Sequence, residues 1–323
     1  MAIETTNNQS AQTGKIPLPV LDMKEFKSEN DLAELVIEKL KVAGVCVLRN
    51  SASPEEVRKI SHEMTPYLKD RWDFFAFEDR FTMSPGLLTL SETYSQYLDR
   101  HVVWQKVCNY FLTHTYGPYW AGENQYTTRT NPQISFSTGL RLGPGTSVQH
   151  LHRDDAGHHG WNQAAKEHTV GRDVTVGLFT ACTEATRANG TTKVLPGSHL
   201  WDYSIAPPAS DSNELVDVVM DPGDCYLMLG GVYHGHGANT TEEYRLITTT
   251  TCTTSLHSQR ENQFLAHDVE KVRALPLRIQ RLMGYNISES YSGYVHLKDP
   301  LRVIGGEDAK YNDAPCHVFE QVY

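Results

Sequence analysis

The chain has 323 residues, with 29 basic against 39 acidic side chains, a net charge of −10 and no run of Lys or Arg that would track a phosphate backbone. That balance argues against a nucleic-acid partner, and the length suffices for one β-rich domain with a sizeable core and added helices. The cysteines (Cys46, Cys108, Cys182, Cys225, Cys252 and Cys316) are scattered without a C-x-x-C pair, which excludes a zinc ribbon or a disulfide framework and fits a reducing compartment.

Residues 1–16 are polar and poor in aliphatics, and read as a flexible tail. They lack the apolar core of a signal peptide, and no later stretch is long and apolar enough to span a bilayer. The C-terminal QVY is no peroxisomal address. A cytoplasmic protein with no membrane insertion is expected, so the sequon-like Asn189-Gly190-Thr191 carries no weight.

From Asp31 the residues Leu32, Leu35, Val36, Ile37 and Leu40 recur at helical spacing, Gly44 supplies a stop, and VCVL predicts a short buried strand. Ser53-Pro54 reads as an N-cap with proline at the first helical position, and Val57, Ile60, Met64 and Tyr67 form the inward stripe. Trp72, Phe74, Phe75 and Phe77 are expected to pack core rather than cover a ligand. A third helix is predicted over 102–112.

The middle changes to period two. Ile134, Phe136, Thr138, Leu140 and Leu142 alternate with other residues before the turn at Gly143-Pro144-Gly145. Further strands are predicted at 147–152, 174–180, 192–195, 215–220, 225–229 and 245–255, then a helix over 268–283 interrupted by Pro276. Short strands separated by Gly, Pro and Asp turns indicate a sandwich or jelly roll. The expected organisation is a single domain over 17–300, helix-rich at 31–115, with a jelly-roll core at about 132–256, a C-terminal helix at about 268–284 and an irregular tail at 301–323.

Two segments carry the chemistry. In VQHLHRDDAGHHG, residues two apart on a strand face one side, so His152 and Asp154 can present an imidazole and a carboxylate to one point while Arg153 turns away. In GGVYHGHGANTTEEYR, His234 offers a third ligand. Two imidazoles and one carboxylate on iron leave three positions open, which a bidentate cosubstrate and dioxygen require. Arg245 lies eleven residues beyond His234, and its guanidinium suits the distal carboxylate of 2-oxoglutarate.

The segments Gln149-His150-Leu151-His152-Arg153-Asp154-Asp155, Asn189 to His199, Pro222-Gly223-Asp224 and His234-Gly235-His236-Gly237-Ala238-Asn239 with Arg245 resemble the phytanoyl-CoA dioxygenase family, in particular its fungal natural-product branch. The resemblance extends to Ala43-Gly44-Val45 and to Leu275-Pro276-Leu277 through Gly284-Tyr285. It implies a double-stranded β-helix core with flanking helices, Fe(II) and 2-oxoglutarate. It also implies an apolar polycyclic substrate such as a terpenoid, meroterpenoid or alkaloid, oxidised at an unactivated C–H bond, and a homodimer. Binding of 2-oxoglutarate, substrate and dioxygen in that order is expected. By position, Gln149 and Thr192 match residues that contact 2-oxoglutarate in the family, and Arg80 loosely matches a further contact.

His236 competes with His234 as ligand, being on the same side of the strand; the spacing to Arg245 favours His234. His150, His158 and His159 are read as neighbours of the metal strand rather than a second site, and Pro196 to His199 mainly as scaffold. The intact carboxylate of Asp154 disfavours halogenation, which needs that ligand replaced by a small residue. A zinc hydrolase on the same three ligands and a non-catalytic jelly-roll binding protein are the rival readings.

Overall fold

The computed structural model of the protein describes residues 15–68, 80–288 and 292–305. The first fourteen residues, the aromatic cluster Trp72, Phe74, Phe75 and Phe77, Cys316 and the chain beyond 305 lie outside the described residues.

Helix α1 (Glu29–Ala43) forms where the apolar spacing demands it. Ser28 accepts from the Asp31 amide at its start, Leu32, Val36, Ile37 and Leu40 are buried, and Gly44 ends it with φ 73. A side chain at Gly44 would be strained by that φ, and its Cβ would lie 2.4 Å from Val232 and 2.6 Å from His199. Helix α2 (Pro54–Met64) begins with a full capping box between Ser53 and Glu56, worth about 1 kcal/mol. Its inward stripe is Val57, Ile60 and Met64; Tyr67, assigned to that stripe from the sequence, lies past the helix end and is 41% exposed. Helices α3 (Leu87–Leu90), α4 (Glu92–Arg100) and α5 (Val102–Leu112) follow, then α6 (Gln263–Ala266), α7 (Val269–Arg273) and α8 (Leu277–Leu282). A last helix, α9 (Pro300–Gly305), occupies the start of what reads in sequence as irregular tail.

The strands are β1 (Val20–Asp22), β2 (Val45–Arg49), β3 (Phe81–Pro85), β4 (Thr115–Ala121), β5 (Asn124–Arg129), β6 (Pro132–Leu142), β7 (Thr175–Ala181), β8 (Thr192–Val194), β9 (Val216–Asp217), β10 (Cys225–Leu229), β11 (His234–His236) and β12 (Arg245–Thr254). Seven build one sheet in the order β1-β2-β10-β7-β12-β6-β3, and β11-β8-β9 make a small second sheet. Among the described residues the two do not close into a barrel. The predicted strand at 147–152 is an extended segment with one bridge, His152 to His234, and that at 215–220 shortens to β9. The β4–β5 hairpin, unforeseen in sequence, projects with Tyr116, Tyr119, Trp120 and Tyr126 exposed.

Register sorts the side chains. Opposed residues share a sheet face, and the pairs Arg245 with Leu142, Thr249 with Phe179, Phe179 with Tyr226, and Tyr226 with Val47 define the inner one. There Val45, Val47, Phe179, Tyr226, Met228 and Ile247 pack against Val194 and Val232. The outer face carries Leu178, Leu227, Leu246 and Cys252, which bury Leu40, Trp104 and Phe111 of the helical layer. Burying such large side chains contributes about 1.5–3 kcal/mol each and holds the sheet that positions the inner residues. The five cysteines among the described residues are buried free thiols, and no helix among those residues is long and apolar enough to cross a membrane.

Candidate metal centre

His152, Asp154 and His234 converge, with one ligand atom from each within 4.8 Å of the others. Asp154 reaches both rings: Oδ1 lies 3.9 Å from His152 Nε2 and Oδ2 lies 3.7 Å from His234 Nε2. Asp154 opens a short 3-10 turn (Asp154–His158) rather than continuing a strand, and Arg153 turns away as expected. The Arg153 guanidinium is clamped between the rings of Tyr203 and Tyr233, 3.9 Å from each centroid, and donates to Ser198 O. Ser198 Oγ in turn accepts from the Tyr233 amide, next to His234. The Pro196 to His199 segment is thus scaffold under the candidate ligands.

Each ligand imidazole has its Nδ1 against a main-chain carbonyl, His152 on His150 O at 3.1 Å and His234 on Val232 O at 3.0 Å. A carbonyl can only accept, so Nδ1 carries the proton and the Nε2 lone pairs face the common point. Burial, then the neighbouring His152, pushes the His234 pKa down to about 4, which keeps its ring neutral and able to ligate at neutral pH. The donor set and its tautomers fit a divalent metal with open positions.

His236 does not join the triad. Its ring stacks on Phe81 at 5.4 Å, and its main chain pairs with Gln149, whose Oε1 accepts from the His236 amide at 3.1 Å. His158 contacts Ser135, and His150 and His159 are exposed; among the described residues no second group of ligating side chains converges.

Arg245 starts β12 on the inner face and is 2% exposed. Nη1 donates to Gly190 O; among the described residues Nε has no hydrogen-bond partner and no carboxylate pairs with the guanidinium. Burial lowers its pKa to about 10. A buried guanidinium without a counter-ion is costly, so the site suits an anion. Thr192 lies nearby on β8, opposite His236 in register, and accepts from the Tyr226 hydroxyl at 3.1 Å. The dianionic keto acid 2-oxoglutarate fits this arrangement.

Arg80 donates to Gly145 O and lines a cavity of about 550 Å³ with Arg141 and Tyr244. That cavity contains none of the six predicted site residues. Sequence reasoning missed two others. Arg260, on the irregular segment after β12, places Nη1 3.7 Å from Asp154 Oδ1 and its guanidinium over Phe136. Nothing in its sequence context marks it. Tyr226 alternates with Met228 on β10, and strand parity alone could have put it inside.

A family model described as phytanoyl-CoA dioxygenase matches residues 40–247. Dioxygenase cnsJ of Penicillium expansum is 38% identical over 307 residues, covering 94% of this chain and 92% of its own. Dioxygenase himG of Aspergillus japonicus is 33% identical over 281 residues, covering 83% and 86%. In fold the chain is similar to the epimerase SnoN, solved with Fe3+, alpha ketoglutarate and nogalamycin RO, with TM-score 0.51, 16% identity and coverage of 72% of this chain and 87% of that one. It is likewise similar to HygX from Streptomyces hygroscopicus, solved with nickel and 2-oxoglutarate, with TM-score 0.50, 16% identity and coverage of 71% and 88%. These two likenesses bear out the expected jelly-roll fold.

Proposed function

The chain belongs to the phytanoyl-CoA dioxygenase family, and on that premise we propose that it is an Fe(II)- and 2-oxoglutarate-dependent dioxygenase of fungal secondary metabolism that oxidises an unactivated C–H bond of an apolar polycyclic small molecule. The observation that carries the reading is the pairing of a His-Asp-His cluster with a buried arginine that has no counter-ion among the described residues. His152, Asp154 and His234 would hold the iron, and Arg245 and Thr192 would take the distal carboxylate of 2-oxoglutarate, with Gln149 beside them. When bound, the iron couples one dioxygen and one 2-oxoglutarate to substrate oxidation, releasing succinate and carbon dioxide.

The chain's own residues do the rest. The carbonyls of His150 and Val232 hold the proton of each imidazole on Nδ1, which leaves Nε2 to face the metal. Arg245 would anchor the cosubstrate, and because its side chain is buried a charge-assisted contact there is strong. Phe81 and Phe136 add apolar surface near the cluster, which supports an apolar substrate. Asp154 keeps the ligand set of an oxygenase rather than a halogenase.

The zinc-hydrolase reading leaves Arg245 buried without a counter-ion among the described residues, and the binding-protein reading leaves the convergent tautomers without a use. A homodimer in the cytoplasm completes the proposal, and sedimentation velocity would test the dimer. The activity is tested by anaerobic loading with Fe(II) and exposure to dioxygen, 2-oxoglutarate and a panel of terpenoids and alkaloids. Substrate-dependent succinate release, lost in Asp154→Ala, is expected; hydrolysis supported by zinc without succinate would overturn it.

A further inference from the structure

Tyr226 is 1% exposed on the inner face of β10, with its ring stacked on Phe179 at 4.5 Å and 8°. The surrounding cluster is Val47, Met228 and Ile247, so packing alone would be served equally by phenylalanine. A buried hydroxyl is retained at a cost unless it is hydrogen-bonded, and this one donates to Thr192 Oγ1 at 3.1 Å. A threonine hydroxyl has one proton and two lone pairs. With a lone pair of Thr192 engaged by Tyr226, its proton is left to donate. Burial raises the Tyr226 pKa, so the hydroxyl keeps its proton and can serve as the donor. On the same sheet face Arg245 starts β12, and its Nη1 donates to Gly190 O, two residues before Thr192.

We propose that Tyr226 is a positioning residue that turns the Thr192 hydroxyl into a second donor, beside Arg245, to the distal carboxylate of 2-oxoglutarate. The inference rests on the cosubstrate site proposed above. Tyr226 acts through Thr192, so the two side chains form one unit, and removing either hydroxyl weakens the same contact.

The test is anaerobic titration of the Fe(II)-loaded full chain with 2-oxoglutarate, following the visible metal-to-ligand charge-transfer band, in the wild type, Tyr226→Phe, Thr192→Val, the double variant, Thr192→Ser and Arg245→Gln. Tyr226→Phe is expected to raise the Kd for 2-oxoglutarate about fivefold and Thr192→Val about tenfold, the range of an ordinary net hydrogen bond. The double variant should match Thr192→Val within about twofold, since coupled residues are not additive. Thr192→Ser and the Fe(II) affinity and melting temperature of Tyr226→Phe should stay near wild type. A Tyr226→Phe protein that titrates like wild type, or effects that multiply in the double variant, would overturn the inference while a loss in Arg245→Gln leaves the cosubstrate site standing. An Arg245→Gln protein that also titrates like wild type would remove that site and the inference with it.

Discussion

The main chains of His152 and His234 are bonded in both directions, each amide donating to the other's carbonyl at 2.9 and 3.0 Å, and their rings stand 4.3 Å apart. This single antiparallel bridge fixes the register of two proposed metal ligands that are far apart in sequence. Main-chain bonds, not the metal, set their spacing.

Metal removal should therefore leave the fold intact. A chelator-stripped sample is expected to melt in one cooperative transition, with a Tm that rises as Fe(II) or Ni(II) is added, following the ligand-linkage relation. Loss of the cooperative transition without metal would show that the ions build the site.

The two neighbouring histidines should separate cleanly. His234→Ala is expected to lose Fe(II) binding and all succinate formation, because its Nε2 faces Asp154. His236→Ala should keep the iron and lose part of the rate, since its ring packs on Phe81 outside the ligand set. Equilibrium dialysis against Fe(II) reads the difference, and the reverse pattern would move the third ligand to His236.

Gly190 is a remote control on Arg245. It sits at φ 81, its carbonyl accepts from Arg245, and a Cβ there would lie 2.6 Å from both Gly237 O and Leu142 Cδ2. Gly190→Ala carries strain of about 1–3 kcal/mol and displaces the carbonyl. The KM for 2-oxoglutarate is expected to rise about tenfold or more, a matching loss of 1.4 kcal/mol or so in binding, with Fe(II) affinity little changed. An unchanged KM would mean that Arg245 does not need this carbonyl.

Acid should weaken the metal-free fold above the range where carboxylates titrate. Burial pushes His101, His158, His199, His234 and His267 down to about 4. In the unfolded chain they return to their ordinary value of about 6.5, so between those values the unfolded state binds more protons. The stability held by neutral rings is complete above about 6.5 and lost as pH falls toward 4. Asp155, raised to about 6 by burial, and Glu261, also raised by burial, run the other way, because their folded forms hold protons that the unfolded chain releases. The histidines outnumber them. The Tm is expected to drop steadily from about pH 7 to about pH 4.5, and a flat or rising Tm would contradict the neutral-ring assignment.

Much of this site is legible in the sequence because each signal has a local physical origin. Ser53-Pro54 marks α2 through capping, and the alternation from Ile134 to Leu142 marks β6 through the pleat. His152 and Asp154 are suggested by a two-residue spacing, although the strand it assumed is an extended segment that turns at Asp154. Arg260 is invisible because its place beside Asp154 arises from tertiary folding of an irregular segment. The β4–β5 hairpin escapes since all of β4 is exposed and no buried face imposes a pattern. Tyr226 is hidden among apolar neighbours, where only the choice of sheet face tells a core tyrosine from one in the site.

The central claim is that His152, Asp154 and His234 hold iron while Arg245 anchors 2-oxoglutarate. Its most direct test is visible absorption of the anaerobic Fe(II)-loaded protein on addition of 2-oxoglutarate. A charge-transfer band that grows to saturation, weakens in Arg245→Gln and is absent in Asp154→Ala is the expected result. No band in the wild type, with iron bound, would contradict the account.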